Sequence, residues 1–143
     1  MSASTLRLTY EVEKDDLARA GEASSQVKQT LRKLGFDPET IRRVAVCMYE
    51  GEINMVIHAD GGQATVDIGL DAITVTLADH GPGIPDVDLA MQAGYTTAGE
   101  AVRDLGFGAG MGLPNMKKYS DSMTIDTTVG VGTTVTMVIL IPQ

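Results

Sequence analysis

A two-layer α+β sandwich, a mostly antiparallel sheet with helices on one face, is the fold that this sequence of 143 residues predicts. Three observations carry it. Short stretches of strand alternation occur near the start, in the middle and at the end of the chain, and the later ones form two hairpins. Two amphipathic helices follow each other between the first strand and the first hairpin. The resulting order, β-α-α-β-β-loop-α-β-β, keeps strands next to strands that they can pair with directly.

Each element has its own signal. Leu6, Leu8, Tyr10 and Val12 alternate with Arg7, Thr9 and Glu11, the pattern of a half-buried strand. Asp15 or Asp16 is expected to cap a helix in which Leu17, Ala20, Ser24, Val27, Leu31 and Leu34 recur at spacings of three and four; Gly35 ends it. Asp37-Pro38-Glu39 opens a second helix, with Pro38 in the first turn, where its missing N–H costs nothing. That helix runs to about Ala59 and stops at Asp60-Gly61-Gly62. Residues 63–70 and 72–78 read as one hairpin, and residues 122–128 and 133–141 as a second, turning at Gly130-Val131-Gly132. The roughly 40 residues between the hairpins hold two glycine clusters and a helix over 113–119. Residues 86–105 form a longer irregular stretch than compact domains usually leave, which reads as a lid or binding loop reaching to about 109.

Composition narrows the function. Hydrophobic residues make up 43% and charged residues 21%, the balance of a globular domain rather than a disordered chain. The net charge of −8 argues against a nucleic-acid partner, which calls for a basic face. An acidic chain that binds a polyphosphate has to use a metal ion and backbone N–H groups. A single cysteine, Cys47, excludes an internal disulfide framework and suits the reducing cytoplasm. No basic region followed by an apolar run opens the chain, and no apolar run approaches a membrane span, so neither a signal peptide nor a membrane is expected. Without repeats or a linker, residues 1–143 are read as one domain.

The second helix is the most informative element. Val44, Cys47, Met48, Gly51, Met55 and Ala59 fall on one side, and Val46, Ile53, Val56 and Ile57 fill most of the other, so the helix is expected to be largely buried. Glu50, Asn54 and His58 form a narrow polar stripe along it. Burying such groups unpaired costs several kcal/mol, so the stripe either grazes solvent or lines a cleft. In a cleft, Asn54 offers an oxygen ligand to Mg²⁺, and Glu50 can orient or deprotonate an attacking hydroxyl or water. His58 reads as a hydrogen-bonded residue near the helix end, and Cys47 as a plain buried thiol.

The glycine clusters add two more pieces. Asp79-His80-Gly81-Pro82-Gly83-Ile84 follows directly on a strand. It is either a surface turn or a place where Asp79 accepts a hydrogen bond from an adenine amino group while Gly81 and Gly83 let the backbone approach a planar base. Gly108-Ala109-Gly110-Met111-Gly112-Leu113 runs into a helix start. Such a segment is a hinge, a helix stop or a phosphate site built from free N–H groups and the helix dipole. No Gly-x4-Gly-Lys-Ser/Thr motif is present, and no Gly-x-Gly-x-x-Gly follows an N-terminal strand, which sets aside two rival phosphate-binding designs.

Taken together, Glu50-Gly-Glu-Ile-Asn54, Asp79-His-Gly-Pro-Gly83, Gly108-Ala-Gly-Met-Gly112-Leu113 and Gly132-Thr133 resemble, in order, the N, G1, G2 and terminal Gly-Thr boxes of the GHKL ATPase superfamily. The resemblance extends from about Leu6 to Ile141. In size the chain is similar to the bacterial anti-sigma-factor serine/threonine kinases. The resemblance implies ATP and Mg²⁺ as ligands, Glu50 as catalytic base, Asn54 on Mg²⁺, and Asp79 with Gly81, Gly83 and Ile84 at adenine. It further implies Gly108, Ala109, Gly110, Met111, Gly112 and Leu113 at the phosphates, Thr97 from the lid, and Thr133 supporting the adenine end. A small regulatory protein would accept the phosphate, a sigma factor is a possible second partner, and a homodimer fits the same resemblance. The departures are Gly106-Phe107-Gly108, where several anti-sigma kinases carry an arginine, and Gly51-Glu52-Ile53 inside the N box. A nucleotide-dependent binding module without transfer, or a detached histidine-kinase catalytic domain, are the competing functions.

Overall fold

The structure, a computed structural model, describes residues 6–13, 19–58, 61–92 and 112–142, with the side chains of Ile57 and His58 outside that description. Strands β1 (Leu6–Val12), β2 (Gly62–Ile68), β3 (Ala72–Asp79), β4 (Ser122–Thr128) and β5 (Gly132–Leu140) form one sheet. Its order is β1-β2-β3-β5-β4, and every neighbouring pair is antiparallel. Helices α1 (Glu22–Lys33), α2 (Pro38–His58), α3 (Val87–Ala90) and α4 (Gly112–Tyr119) complete the described elements.

Period-two alternation decides which sheet face the helices cover. Ala64, Val66 and Ile68 of β2, Ile73, Val75 and Leu77 of β3, and Val135, Met137 and Ile139 of β5 are buried. They join Val27 and Leu31 of α1, Val44, Met48, Met55 and Val56 of α2, and Met116 of α4 in one core. The opposite face carries threonine. Thr9, Thr65, Thr76, Thr136 and Thr124 are register partners across all five strands. Threonine keeps the β-branched shape that strands favour without making an exposed face apolar.

Helix α2 lies tight on the sheet because position 51 is glycine: a Cβ there would collide with the Leu77 side chain of β3. The helix starts as the sequence predicts. Asp37 accepts from the Thr40 backbone N–H at 3.1 Å and from its hydroxyl at 2.5 Å, which satisfies a first-turn donor. Ahead of it, Gly35 takes the left-handed conformation at φ 84°, and the Phe36 N–H closes back on the Leu31 carbonyl to end α1.

The start of α1 differs from expectation. Asp15, Asp16 and Leu17 lie outside the described residues, and the helix begins at Glu22, after a turn that includes Ala20. Gly21, left-handed at φ 92°, breaks the helix there and offers no side-chain cap. The cap comes from another helix. Glu52 of α2, only 3% exposed, accepts from the Ala23 and Ser24 N–H groups at 3.1 Å each. The carboxylate also meets the positive end of the α1 dipole, so a charge buried in the core is matched at both oxygens.

The segment between the hairpins is described only in part. Asp86 caps the single turn of α3 by accepting from the Leu89 N–H at 3.0 Å, a helical turn inside the stretch that the sequence reads as irregular. Residues 93–111, and with them Thr97, Gly108, Ala109, Gly110 and Met111, lie outside the described residues.

Glu52→Ala should lower the unfolding free energy by about 2–4 kcal/mol, because two buried N–H groups lose a charged acceptor. Glu52→Gln, which keeps one acceptor, should cost less. Urea unfolding of the three proteins measures both, and equal stability of wild type and Glu52→Ala would refute the cap.

Candidate functional site

One face of α2 is matched, residue by residue, to α4. Arg43, Cys47, Glu50 and Asn54 stand at i, i+4, i+7 and i+11, so they line up along the helix. Arg43 Nε donates to the Tyr119 carbonyl at 3.1 Å. The Cys47 thiol approaches the Met116 carbonyl at 3.7 Å. Glu50 Oε2 accepts from Asn115 Nδ2 at 2.8 Å. Asn54 rests against Gly112, where a Cβ would stand 3.0 Å from both amide atoms of Asn54. The partners run backwards from 119 to 112, so the helices are antiparallel. Asn54 therefore reaches the N-terminus of α4 and Arg43 its C-terminal turn, where a cation suits the free carbonyls.

Arg43 is held further by Asp121 Oδ2 at 3.0 Å. Asp121 in turn accepts from the Leu140 N–H at 2.7 Å, and that bond, aided by Arg43, holds its carboxyl below the usual carboxylate range. Burial pushes the Cys47 thiol up to about 12; the nearby Arg43 opposes the shift and Glu50 adds to it.

The second half of the site lies at the end of β3. Asp79 Oδ1 accepts from the Gly81 N–H at 2.9 Å and from the Thr133 N–H at 3.1 Å, while Oδ2 makes no hydrogen bond among the described residues. Position 132 has to be glycine, because a Cβ there would collide with the Asp79 carbonyl oxygen. Gly83, at φ 81°, faces the β4–β5 turn, where a Cβ would come within 2.7 Å of the Thr128 carbonyl. The Ile84 N–H donates to Thr127 Oγ1 at 2.9 Å, and that hydroxyl bonds the Thr133 hydroxyl at 2.8 Å. The Gly130 N–H closes on the Pro82 carbonyl at 2.8 Å. The loop after β3 is thus fastened to the β4–β5 hairpin, and among the described residues no donor reaches Asp79 Oδ2.

The two halves share one end of the sheet. A Cβ at Gly62, on β2, would sit 2.9 Å from both the Asp79 Cα and the Met55 sulfur, next to Asn54. Glu50, Asn54, Gly112, Asp79, Gly81, Gly83, Ile84 and Thr133 all belong to this arrangement. Leu113 is partly buried and packs against the core. Sequence reasoning missed Asn115 and Thr127. Both had a signal: Asn115 stands three residues after Gly112, on the same helix face, and Thr127 alternates with the outward residues of β4. A cavity of about 290 Å³ lies elsewhere, against β1 and the start of α1, and none of the site residues lines it.

The arrangement fits Mg·ATP by its donor set. A carboxylate oxygen left open at Asp79, the N-terminus of an eight-residue helix and an amide oxygen at that terminus suit, in turn, an amino group, phosphate and a hard cation. Among the described residues no group of three or more His, Cys, Asp or Glu gathers to hold a metal, so Asn54 would share an ion with phosphate oxygens and water. No described helix is long and apolar enough to cross a membrane.

This is the architecture of a GHKL-type ATP-binding domain. The histidine kinase-like ATPase domain family matches residues 14–139, and the chain belongs to it. It is 29% identical over 110 residues to the serine/threonine-protein kinase RsbT of Bacillus subtilis (strain 168), covering 74% of this chain and 77% of that one. It is 35% identical over 109 residues to an anti-sigma F factor of Caldanaerobacter subterraneus, covering 71% and 73%. The solved RsbU and RsbW domains of Rv1364c from Mycobacterium tuberculosis share the fold, with a TM-score of 0.62 at 16% identity over 97% of this chain and 34% of that one.

Cys47 offers a direct test of the helix pairing. Its thiol should resist alkylation at pH 8 in the folded protein and react at once after unfolding. An unfolded thiol ionises near pH 8.5, and the folded one only at about 12. Stability should therefore fall as pH rises through that window, and Cys47→Ala should flatten the slope. Rapid stoichiometric labelling of the native protein would contradict the packing.

Proposed function

We propose that this chain binds Mg·ATP between α2, the loop after β3 and the N-terminus of α4, and transfers the γ-phosphoryl group to a serine or threonine of a small regulatory protein. It would act as a cytoplasmic switch of the anti-sigma type, with a sigma factor as a possible second partner. The observation that carries the reading is the pairing of α2 with α4. It brings a carboxylate, Glu50, and an amide, Asn54, one helical turn apart on α2, against the start of α4, where the phosphates would bind.

In this reading Asp79 takes the adenine amino group on Oδ2, and Thr133 and Gly81 hold the carboxylate in place through Oδ1. The α4 N-terminus and the G2 glycines that precede it receive the phosphates. A bound Mg²⁺ would neutralise phosphate charge, which together with positioning is most of what phosphoryl transfer requires. Glu50 keeps Oε2 on Asn115 and has Oε1 available to accept the proton of the attacking hydroxyl. Residues 1–143 act as one ATP-binding domain, and β1, at an open edge of the sheet, is where a second copy would pair.

Labelled Mg·ATP, incubated with the protein and candidate regulatory partners, tests the assignment. Acid-stable transfer supports serine or threonine phosphorylation. Acid-labile transfer would point to histidine, and ATP binding without transfer to a nucleotide-dependent binding module.

Three substitutions separate the roles. Asp79→Asn should weaken ATP binding at least tenfold, about 1.4 kcal/mol, because an acceptor is partly replaced by a donor. Glu50→Ala should still bind ATP but lose about 10²–10⁴-fold in transfer. Asn54→Ala should lose the Mg²⁺-dependent part of the affinity. Calorimetry with and without Mg²⁺, paired with transfer rates, reads all three; wild-type transfer by Glu50→Ala would rule out the assigned base.

A further inference from the structure

The residue that contacts Glu50 is not among those that the motifs single out. Asn115 closes the first turn of α4, and its amide nitrogen donates to Glu50 Oε2 at 2.8 Å across the helix pair. Glu50 and Asn115 are both half-buried, so the bond forms where water competes poorly for it. Glu50 has no other hydrogen bond among the described residues. A carboxylate on a flexible side chain rotates freely unless something holds it, and among the described residues Asn115 is the group that does.

We propose that Asn115 is the positioning residue of Glu50: it fixes one carboxylate oxygen and so aims the other at the acceptor hydroxyl. The inference rests on the reading of Glu50 as the base. Two features of the geometry support it. The bond uses Oε2 and, among the described residues, leaves Oε1 unengaged, so the contact orients the carboxylate without using up its capacity to take a proton. Asn115 also stands three residues after Gly112, on the helix whose N-terminus receives the phosphates. One rigid turn of α4 therefore fixes both the phosphate end, through Gly112 and Asn54, and the base, through Asn115 and Glu50. A positioning error of about 1 Å at a reacting group can cost on the order of 100-fold in rate, so such a tie matters to turnover more than to binding.

Two substitutions distinguish positioning from packing. Asn115→Ala removes the donor; Asn115→Asp keeps the shape but places a second carboxylate against Glu50. If Asn115 acts through its N–H, transfer should fall about tenfold in Asn115→Ala, with the KM for ATP within twofold of wild type, and fall further in Asn115→Asp. If Asn115 only fills space, the isosteric Asn115→Asp should be the milder change, and that order overturns the proposal. Thermal unfolding confirms that each variant is folded. A second readout needs no nucleotide: the side-chain amide resonance of Asn115 in the free protein should shift in Glu50→Ala, and an unmoved resonance would also overturn the proposal. The two readings fail differently. Wild-type transfer by Glu50→Ala removes the base and this inference with it. Loss of transfer in Glu50→Ala, with full transfer in Asn115→Ala, removes the inference alone.

Discussion

Helix α2 carries polar side chains through an otherwise apolar layer, and each has to meet a partner there or destabilise the fold. Glu52 meets the backbone of α1; Arg43, Cys47, Glu50 and Asn54 meet α4. These contacts leave α2 little freedom to rotate or slide. Turned by one residue, the helix would bury an unpaired carboxylate and drive its glycine off Leu77. The requirement that polar groups be satisfied thus fixes the helix in one orientation, and the site residues are placed by the same requirement. Among the described residues no buried side-chain nitrogen or oxygen lacks a partner.

The end of the site at β3 is set by backbone proximity. Gly132 and Gly83 are places where the chain passes too close to a carbonyl for any Cβ, and both bring the β4–β5 hairpin against the loop after β3. The hydroxyls of Thr127 and Thr133 then bridge the gap, so Asp79 is held by backbone donors from its own loop and from β5. A carboxylate held in this way points its second oxygen in a fixed direction, and an acceptor so fixed would favour an amino group over a second acceptor.

An acidic chain of net charge −8 that handles a polyanion works against its own long-range field. Local dipoles offset this over short range. The N-terminus of α4 provides N–H groups where a phosphate would sit, and a divalent ion would complete the balance. The same α4 turn bears Asn115 against Glu50, so the group that would receive the proton is set by the element that would hold the phosphates. Binding and chemistry then depend on one helix pair.

Much of this was legible in the sequence. Alternation placed every strand within a residue or two, because a half-buried sheet imposes a period of two on its residues. The Asp37-Pro38 start, the Gly35 stop and the order of the four boxes are local signals, and the chain's family follows from them. Tertiary structure decided the rest. Nothing near Gly21 shows that α1 starts at Glu22, since its cap, Glu52, lies about 30 positions away along the chain. Gly51 and Glu52 read as departures inside the N box; in the fold they are a close approach to Leu77 and a helix cap. Leu113 stands beside a glycine cluster in sequence and packs, partly buried, against the core in space. The sequence by itself determined which residue types stand at which local period, because that needs only the neighbours along the chain. Which oxygen of Asp79 the backbone donors hold, and which side chain holds Glu50, depended on how separate elements meet, and only the folded chain brings those together.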